Sequence, residues 1–214
     1  MSFIKTYKNI WAGLIVLTGL ILFRMYKTHT YAYGFLFWNL FLAVLPLLFS
    51  YMTVRIPKRV YAGITAALWL LFFPNSAYLF TDIVHLNFRD SLLFWLDIVI
   101  LVLSAVYGIV MGMLSLKQME GWYGQFLSAS ARQLVSFLLL LACGYGIYLG
   151  RVERWNSWDV VAQPMDLLQA MAYHSRHPFR CREVWMMTGL FGTGLYVLYL
   201  LFDRKINSVS GGVS

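Results

Sequence analysis

The sequence predicts an all-α membrane protein: a polytopic bundle of about six transmembrane helices, with a short interfacial helix in the long loop between helices 5 and 6. Of its 214 residues, 60% are hydrophobic and 12% are charged, whereas soluble domains carry about 25% charged residues. The long runs are apolar on all sides, which excludes the alternating pattern of a membrane β-barrel. Because no repeat or low-complexity linker interrupts them, we expect a single integral membrane domain over residues 1–214.

Each apolar run is close to the ~17–25 residues that a helix needs to cross a bilayer. The first run, 10–26, follows Lys5 and Lys8 in the manner of a signal peptide. Since no small-x-small cleavage site follows it, we expect a retained span. The other spans are predicted in chain order at 31–54, 60–81, 92–116, 133–150 and 184–202. Within the run 92–116 the one charged residue is Asp97.

The polar segment 151–183 separates the last two spans. After Pro164 it continues as "MDLLQAMAYHSRH", in which Met165, Leu168 and Met171 recur at helical spacing. Proline suits the first position of a helix, and an apolar stripe opposite polar residues is typical of helices that lie on a membrane surface. This is the segment in which we expect the interfacial helix.

The net charge of +8 is spread as short basic clusters at the ends of the apolar runs. That distribution fits topology signals and anionic lipid headgroups better than the continuous basic patch of a nucleic-acid-binding protein. We therefore expect membrane lipids as partners and no nucleic acid. The compact cluster Arg55, Lys58 and Arg59 favours the cytoplasmic side for its loop, which places both termini in the cytoplasm.

The two cysteines are predicted to be free thiols. Cys143 lies inside an apolar run and Cys181 in a polar stretch, so the two belong at different depths. A disulfide needs Cα atoms within about 7 Å of each other.

Polar residues from four segments converge on one leaflet in this topology. The third span carries Asp82 to the outer surface, and Asn75 lies roughly 10 Å deeper at about 1.5 Å per residue. Asn39 lies at a similar depth, Asp97 is about two turns into the bilayer, and the fifth span delivers "RVERWNSWD" to the same side. The candidate substrate-binding residues are Asn39, Asn75, Tyr78, Arg151, Arg154, Asn156 and Asp159. The candidate catalytic residues are Asp82, His85 and Asp97.

The third span also has an internal order, with polar residues spaced 3, 4 and 3 apart at Asn75, Tyr78, Asp82 and His85. If the helix continues past Pro74, this spacing predicts one polar face. Because proline removes a backbone donor, the Leu70 carbonyl becomes available to another donor, such as the amide of Asn75 or Asn39.

Each candidate also has a purely structural interpretation. The two asparagines equally suit hydrogen bonds between helices, worth about 1–2 kcal/mol each. Asp82 equally suits a helix cap or a pair with Arg89. For Asp97 the structural alternative is an ion pair with Arg151 or Arg154, because an unpaired acid in hydrocarbon is costly. The functional interpretation is favoured because ionisable residues inside a membrane generally serve a function.

The sequence predicts no metal site and leaves any cofactor unassigned. Asp82 and His85, like His174 and His177, stand three residues apart, which matches metal-binding pairs on helices, but such pairs are common by chance. The chain has no cysteine cluster, H-E-x-x-H, Walker or dinucleotide-binding glycine motif.

Three phrases, "WNLFLAVLPLL", "LWLLFFPNSAYLFTDIVHL" and "RWNSWDV", together with "FWLDIVI" around Asp97, resemble the bacterial membrane family catalogued as domain of unknown function 1361. The likeness covers roughly residues 31–200. It implies a multi-pass protein of a bacterial inner membrane and a set of hallmark residues, but no reaction. Those residues are Asn39, Pro46, Pro74, Asn75, Tyr78, Thr81, Asp82, His85, Asp97, Arg154, Asn156, Ser157, Trp158 and Asp159.

Three functions stay open. We favour an enzyme acting on an amphiphilic, lipid-linked substrate in the outer leaflet, because the polar groups cluster where a lipid head would lie. Asp82 or Asp97 would be its base, with His85 as partner or metal ligand, and Arg151 and Arg154 would hold an anionic headgroup. The alternatives are a structural or assembly subunit of a membrane complex and a small-solute or ion transporter, for which intramembrane acids are also typical.

Overall fold

The computed structural model describes residues 3–31, 33–82 and 93–210, and in this part of the chain it contains helices and turns but no strand. His85 and Arg89 lie outside the described residues. The α-helices run over Phe3–Thr6 (α1), Lys8–Thr28 (α2), Phe35–Arg55 (α3), Arg59–Thr81 (α4), Phe94–Tyr123 (α5), Ala129–Arg151 (α6), Asp159–Ala162 (α7), Pro164–Arg176 (α8) and Arg182–Ser210 (α9). The predicted all-α class is confirmed.

Among the described residues, six helices are long and apolar enough to cross a membrane, namely α2, α3, α4, α5, α6 and α9. They coincide with the six predicted spans, which confirms a polytopic helical bundle. Two helices run furthest past their predicted ends, since α9 continues to Ser210, past residue 202, and α5 continues to Tyr123, past residue 116. The turns added to α5, "KQMEGWY", are more polar than the run before them, yet they are mostly good helix formers.

Helix α4 continues past Pro74 to Thr81, as predicted. Two other local expectations are also met, since Pro164 occupies the start of α8 and both cysteines are free. Proline has no backbone N–H to donate and its φ already suits a helix, so the first turn accommodates it.

The chain divides into two compact units, Met1–Gln118 and Met119–Ser214, with the boundary inside α5. Whether the two units form one integral domain stays a prediction. In the first unit α3 packs against α4, and the hydroxyl of Thr53 donates to that of Thr65 at 2.8 Å. Its core is built from the buried side chains Leu17, Ile21, Tyr33, Leu36, Leu40, Ala43, Leu47, Leu79, Ile100, Leu101 and Met111.

A glycine lets α4 and α5 approach closely within the first unit. A Cβ at Gly108 would lie 2.2 Å from the carbonyl oxygen of Ser76, a distance that no side chain tolerates. Trp69 on α4 adds a hydrogen bond from its indole N–H to the Ser115 hydroxyl of α5, at 3.1 Å. The close approach fixes the rotation of α4, and with it the direction of the polar residues near its end.

In the second unit α6 packs against α9, and α7 against α8. Glycines again permit contact, because a Cβ at Gly144 would lie 2.7 Å from the Thr188 carbonyl oxygen and one at Gly192 would lie 2.7 Å from the Leu141 Cα. Ser128 caps α6 by accepting a hydrogen bond from the Ala131 backbone N–H at 3.3 Å. Helix α8, the predicted interfacial helix, buries Leu167 and His174 and exposes its other side chains to varying degrees.

Candidate functional site

Four helix ends meet at one end of the first unit. Arg24, near the end of α2, contacts Asp97 in the first turn of α5. Asn39, near the start of α3, contacts Asp82 at the end of α4. Tyr33 contacts Arg24 and lies in the short connection that leads from the end of α2 to the start of α3, so the two pairs lie at the same end. We refer to Arg24, Tyr33, Asn39, Asp82 and Asp97 as the polar end of the first unit.

Asp97 forms a two-pronged ion pair with Arg24. The arginine Nε donates to Oδ1 at 2.9 Å and its Nη2 donates to Oδ2 at 3.1 Å. The two side chains are 10% and 7% exposed. The remaining guanidinium nitrogen donates to the hydroxyls of Thr28 and Thr30, at 3.2 and 3.0 Å. Such planar, bidentate geometry is the strongest form of a carboxylate–arginine contact.

The aromatic ring of Tyr33 completes this arrangement. The Arg24 guanidinium carbon lies 4.3 Å from the ring centroid, and the Tyr33 hydroxyl is hydrogen-bonded to Asp97. Burial, reinforced by the charge and hydrogen bond of Asp97, raises the pKa of Tyr33 to about 12. The phenol therefore keeps its proton at physiological pH and donates a hydrogen bond to the Asp97 carboxylate.

Helix electrostatics favour this placement of charge. The N-terminus of a helix carries a partial positive charge and its C-terminus a partial negative one. Asp97 lies in the first turn of α5 and Arg24 near the C-terminus of α2, so each charge meets a complementary helix end. The desolvation cost of the pair is thus offset by the bidentate contact, the Tyr33 hydroxyl and both helix ends.

Asp82 has different surroundings. Its residue is 1% exposed, and Oδ2 accepts a hydrogen bond at 2.8 Å from the side-chain amide of Asn39, a neutral donor. Asp82 is also the C-terminal cap of α4, so the carboxylate lies at the helix end that disfavours negative charge. A buried acid held in such a place is more typical of function than of stability.

The stripe along α4 is half-buried at Asn75 and Tyr78, and Phe80 on another face is 48% exposed. The Asn75 amide donates to the Phe72 carbonyl oxygen at 3.2 Å. This differs from the expected bond to the Leu70 carbonyl, because the side chain folds back on its own helix three residues earlier. Asn39, the other expected donor, instead binds Asp82.

The structure gives Asp97 a partner that the sequence did not suggest, because its ion pair is with Arg24. Arg24 and Tyr33 were missed as site residues. A detectable signal was present in the sequence, since a lone cation within one apolar run matches a lone acid within another. A charge in hydrocarbon requires a partner, and Arg24 and Asp97 are each other's counter-ion.

The remaining predicted residues belong to the second unit. Arg151 ends α6, and Arg154 is exposed with a left-handed backbone, φ 63°. Asp159 accepts hydrogen bonds from the backbone N–H of Asn156 at 2.6 Å and from its side-chain amide at 3.3 Å. Asn156 and Asp159 therefore build the turn that begins α7. Their predicted convergence with Asp82 stays a prediction.

Among the described residues, no group of three or more histidine, cysteine, aspartate or glutamate side chains is arranged to hold a metal ion. The Asp82–His85 pair cannot be placed, because His85 lies outside that part of the chain.

One family model, described as protein of unknown function (DUF1361), matches residues 38–198. This range includes Asn39, Asp82 and Asp97 but begins after Arg24 and Tyr33. No curated protein and no solved structure matches the chain. Since the matched range covers most of the sequence and contains the phrases that carry the resemblance, the chain belongs to the DUF1361 family.

Proposed function

We propose that this protein is a membrane enzyme that acts on an amphiphilic, lipid-linked substrate, with the substrate's polar head at the polar end of the first unit. The observation that carries the proposal is the buried Asp82 carboxylate, held by a neutral amide at a helix C-terminus. A buried carboxylate beside a bound polar head is placed to accept a proton from it, which is what a general base does.

Of the two candidate bases, Asp82 suits the role and Asp97 does not. Both oxygens of Asp97 are engaged by Arg24, and the Tyr33 hydroxyl adds a further donor. Taking up a proton there would leave the Arg24 charge buried without its counter-ion, at a cost of about 3–5 kcal/mol. Asn39 is the positioning residue for Asp82, and the predicted partnership with His85 stays a prediction.

An apolar groove in the first unit supports an amphiphilic substrate. It has a volume of about 510 Å³ and runs between α1, α2 and α3. The α3 side of this groove runs from Phe37 to Leu48. Its lining has membrane character and suits an acyl chain, whereas Asn39 meets Asp82 on the opposite face of α3.

Native mass spectrometry of the detergent-purified protein tests the groove. We expect a lipid-sized adduct on the wild type that Leu45→Trp removes, because Leu45 lines the groove. The matched control is Leu22→Trp, at a 53% exposed position of α2 outside the groove lining, which should keep the adduct. Equal adducts on both variants would contradict the groove as the binding place.

The same spectra separate an enzyme from a passive lipid-binding protein. An enzyme predicts that Asp82→Asn carries an adduct of different mass from the wild type, because unprocessed substrate accumulates. Identical adducts on the wild type and Asp82→Asn, identified by fragmentation, would indicate that the protein binds lipid but does not catalyse a reaction. The control is Asp166→Asn, an exposed acid of α8, which should leave the adduct unchanged.

The second candidate is a structural or assembly subunit. It is favoured by Arg24, Asp97 and Tyr33, whose contacts bind α2, the following connection and α5 into one unit without needing a ligand. This function predicts that purified wild type carries no adduct that Leu45→Trp removes. No specific observation favours the transporter.

We also propose that the protein resides in a bacterial cytoplasmic membrane with both termini in the cytoplasm. The native cysteines offer a test, since Cys181 lies in the polar connection before α9 while Cys143 is buried. This topology predicts that an impermeant maleimide labels Cys181 from outside intact cells, and that Cys181→Ser abolishes the labelling. Labelling confined to inverted vesicles would reverse the orientation.

A further inference from the structure

A second group of ionisable side chains lies within the second unit, around His174 of α8. Its Nε2 is 2.8 Å from Glu153 Oε1, and its Nδ1 is 2.9 Å from the Tyr145 hydroxyl of α6. The imidazole stands edge-on to two tyrosine rings, with centroids 6.0 Å from Tyr145 and 5.9 Å from Tyr148. His174 is 4% exposed.

Glu153 is itself fixed in place. Its second oxygen accepts a hydrogen bond from the Trp155 indole N–H at 3.0 Å. The Trp155 backbone N–H donates in turn to the Leu149 carbonyl oxygen at 3.0 Å, so the chain folds back on the end of α6. The carboxylate is therefore presented to His174 by a defined turn.

These contacts hold a helix rather than bind a ligand. Both ring nitrogens of His174 are engaged and the side chain is almost fully buried, so a substrate has no route to either nitrogen. Helix α8 buries two residues, Leu167 and His174, which stand two turns apart on one face. The attachment of this helix thus depends on one apolar contact and one ionisable contact.

The attached segment is suited to a lipid surface. Val161 of α7 is 82% exposed, and Met165 and Leu168 of α8 are 65% and 58% exposed. An amphipathic helix of this kind joins two spans here and would be free to move in the interface if its ionisable contact were released.

We propose that Tyr145, His174 and Glu153 form a pH-sensitive clasp that fixes α8 to the end of α6. With a neutral imidazole, Nε2–H donates to Glu153 and Nδ1 accepts the Tyr145 hydroxyl. After protonation, Nδ1–H donates to the tyrosine oxygen and the contact with Glu153 becomes an ion pair. Hydrogen bonds to charged groups are stronger, so the clasp tightens on acidification and loosens as the pH rises through the range in which imidazole loses its proton.

Other titratable groups lie around the clasp and contribute to its electrostatic environment. They are Tyr148 of α6, Cys181 of the following connection and Glu183 of α9, which act on the tyrosines of this group. The proposal goes beyond the proposed function, because it concerns the second unit and requires no substrate.

Hydrogen exchange of the full-length protein in lipid nanodiscs tests the clasp. Protection factors, corrected for the intrinsic effect of pH, are measured for the α8 amides at about pH 8 and about pH 5.5, on either side of the usual imidazole transition. For the wild type we expect protection to rise about fivefold at the lower pH, because protonation adds the attraction between imidazolium and the Glu153 carboxylate to a hydrogen bond that is already present.

The variants separate the effect of the Glu153 charge from the effect of losing a hydrogen bond that holds α8. Glu153→Gln keeps an acceptor for Nε2–H, so protection at the higher pH should match the wild type while the rise is lost. Tyr145→Phe should lower protection at both pH values and keep the rise. The matched control is His177→Asn, an exposed histidine of the same connection, which should change neither value. The proposal would be overturned if protection in the wild type did not rise at the lower pH. It would also be overturned if the rise survived in Glu153→Gln or was abolished by His177→Asn.

Discussion

Asp97 and Asp82 lie at the same end of the first unit, and both are almost completely buried. Asp97 meets an arginine, a tyrosine hydroxyl and the N-terminus of its helix. Asp82 is held by an asparagine amide and lies at the C-terminus of its helix. Sequence hydropathy treats the two acids alike, yet their surroundings differ: Asp97 pairs with a cation at a helix N-terminus, whereas Asp82 accepts from a neutral amide at a helix C-terminus.

Asp97→Asn should produce the largest loss of stability. It leaves the Arg24 charge buried without its counter-ion, which costs about 3–5 kcal/mol. The free energy of unfolding, measured by denaturing-detergent titration in mixed micelles, checks this value. Adding Arg24→Gln should recover part of the loss, because the charge is removed as well. Asp166→Asn is the control, and a loss equal to that of this exposed acid would refute the structural role of Asp97.

Asn39→Ala should have the next largest effect. It removes one hydrogen bond to the buried Asp82 carboxylate, and a hydrogen bond to a charged group is worth about 1.5–3 kcal/mol. The comparison variant is Asn75→Ala, whose amide bonds a carbonyl of its own helix and should cost less. The same titration measures both, and a larger effect at Asn75 would reverse the ranking of the two asparagines.

Tyr33→Phe should cost about 1 kcal/mol at neutral pH, the typical net value of one hydrogen bond. The pKa of Tyr33 is raised, so the contribution of its hydroxyl is complete below the ordinary tyrosine pKa of about 10. It disappears as the pH rises through about 12. Phenolate absorbance of the wild type minus the variant should show one late-titrating group. Tyr31→Phe, at an 87% exposed position, is the control for this difference spectrum.

Asp82→Asn should cost less stability than Asp97→Asn. The asparagine keeps an oxygen for the Asn39 amide, and it removes a negative charge that a helix C-terminus disfavours by about 0.3–1 kcal/mol. The contrast with Asp97→Asn is the sharpest test of the comparison. A loss as large as that of Asp97→Asn would make both acids structural.

The spans could be predicted because hydropathy is a local property. The length and hydropathy of each apolar run are enough to predict a membrane helix. Pro74 does not interrupt α4, because proline is tolerated within membrane helices. Counting residues along those spans predicts Asn39, Asp82 and Asp97 in one leaflet, and all three lie at the same end of the first unit.

The partners could not be predicted, because a single sequence gives neither the rotation of a helix nor its neighbours. The pair of Arg24 with Asp97 depends on α2 lying beside α5, which is a matter of packing between residues 73 positions apart. The clasp at His174 has the same origin, since Tyr145 and His174 share no motif and meet only because α8 folds back on α6. The amide of Asn75 turned to its own backbone for the same reason, as rotamers are set by surroundings.

The separation of Arg24 and Asp97 has a consequence for biogenesis. The ribosome delivers the first span long before the fourth, so Arg24 enters the membrane while its acid has not been made. Near the end of α2, its long side chain reaches the lipid headgroups in the meantime. The buried position of Arg24 in the folded protein therefore requires α5 to be in place beside α2. The ion pair can form only after the two helices have met, so assembly of this end of the first unit waits for the fourth span.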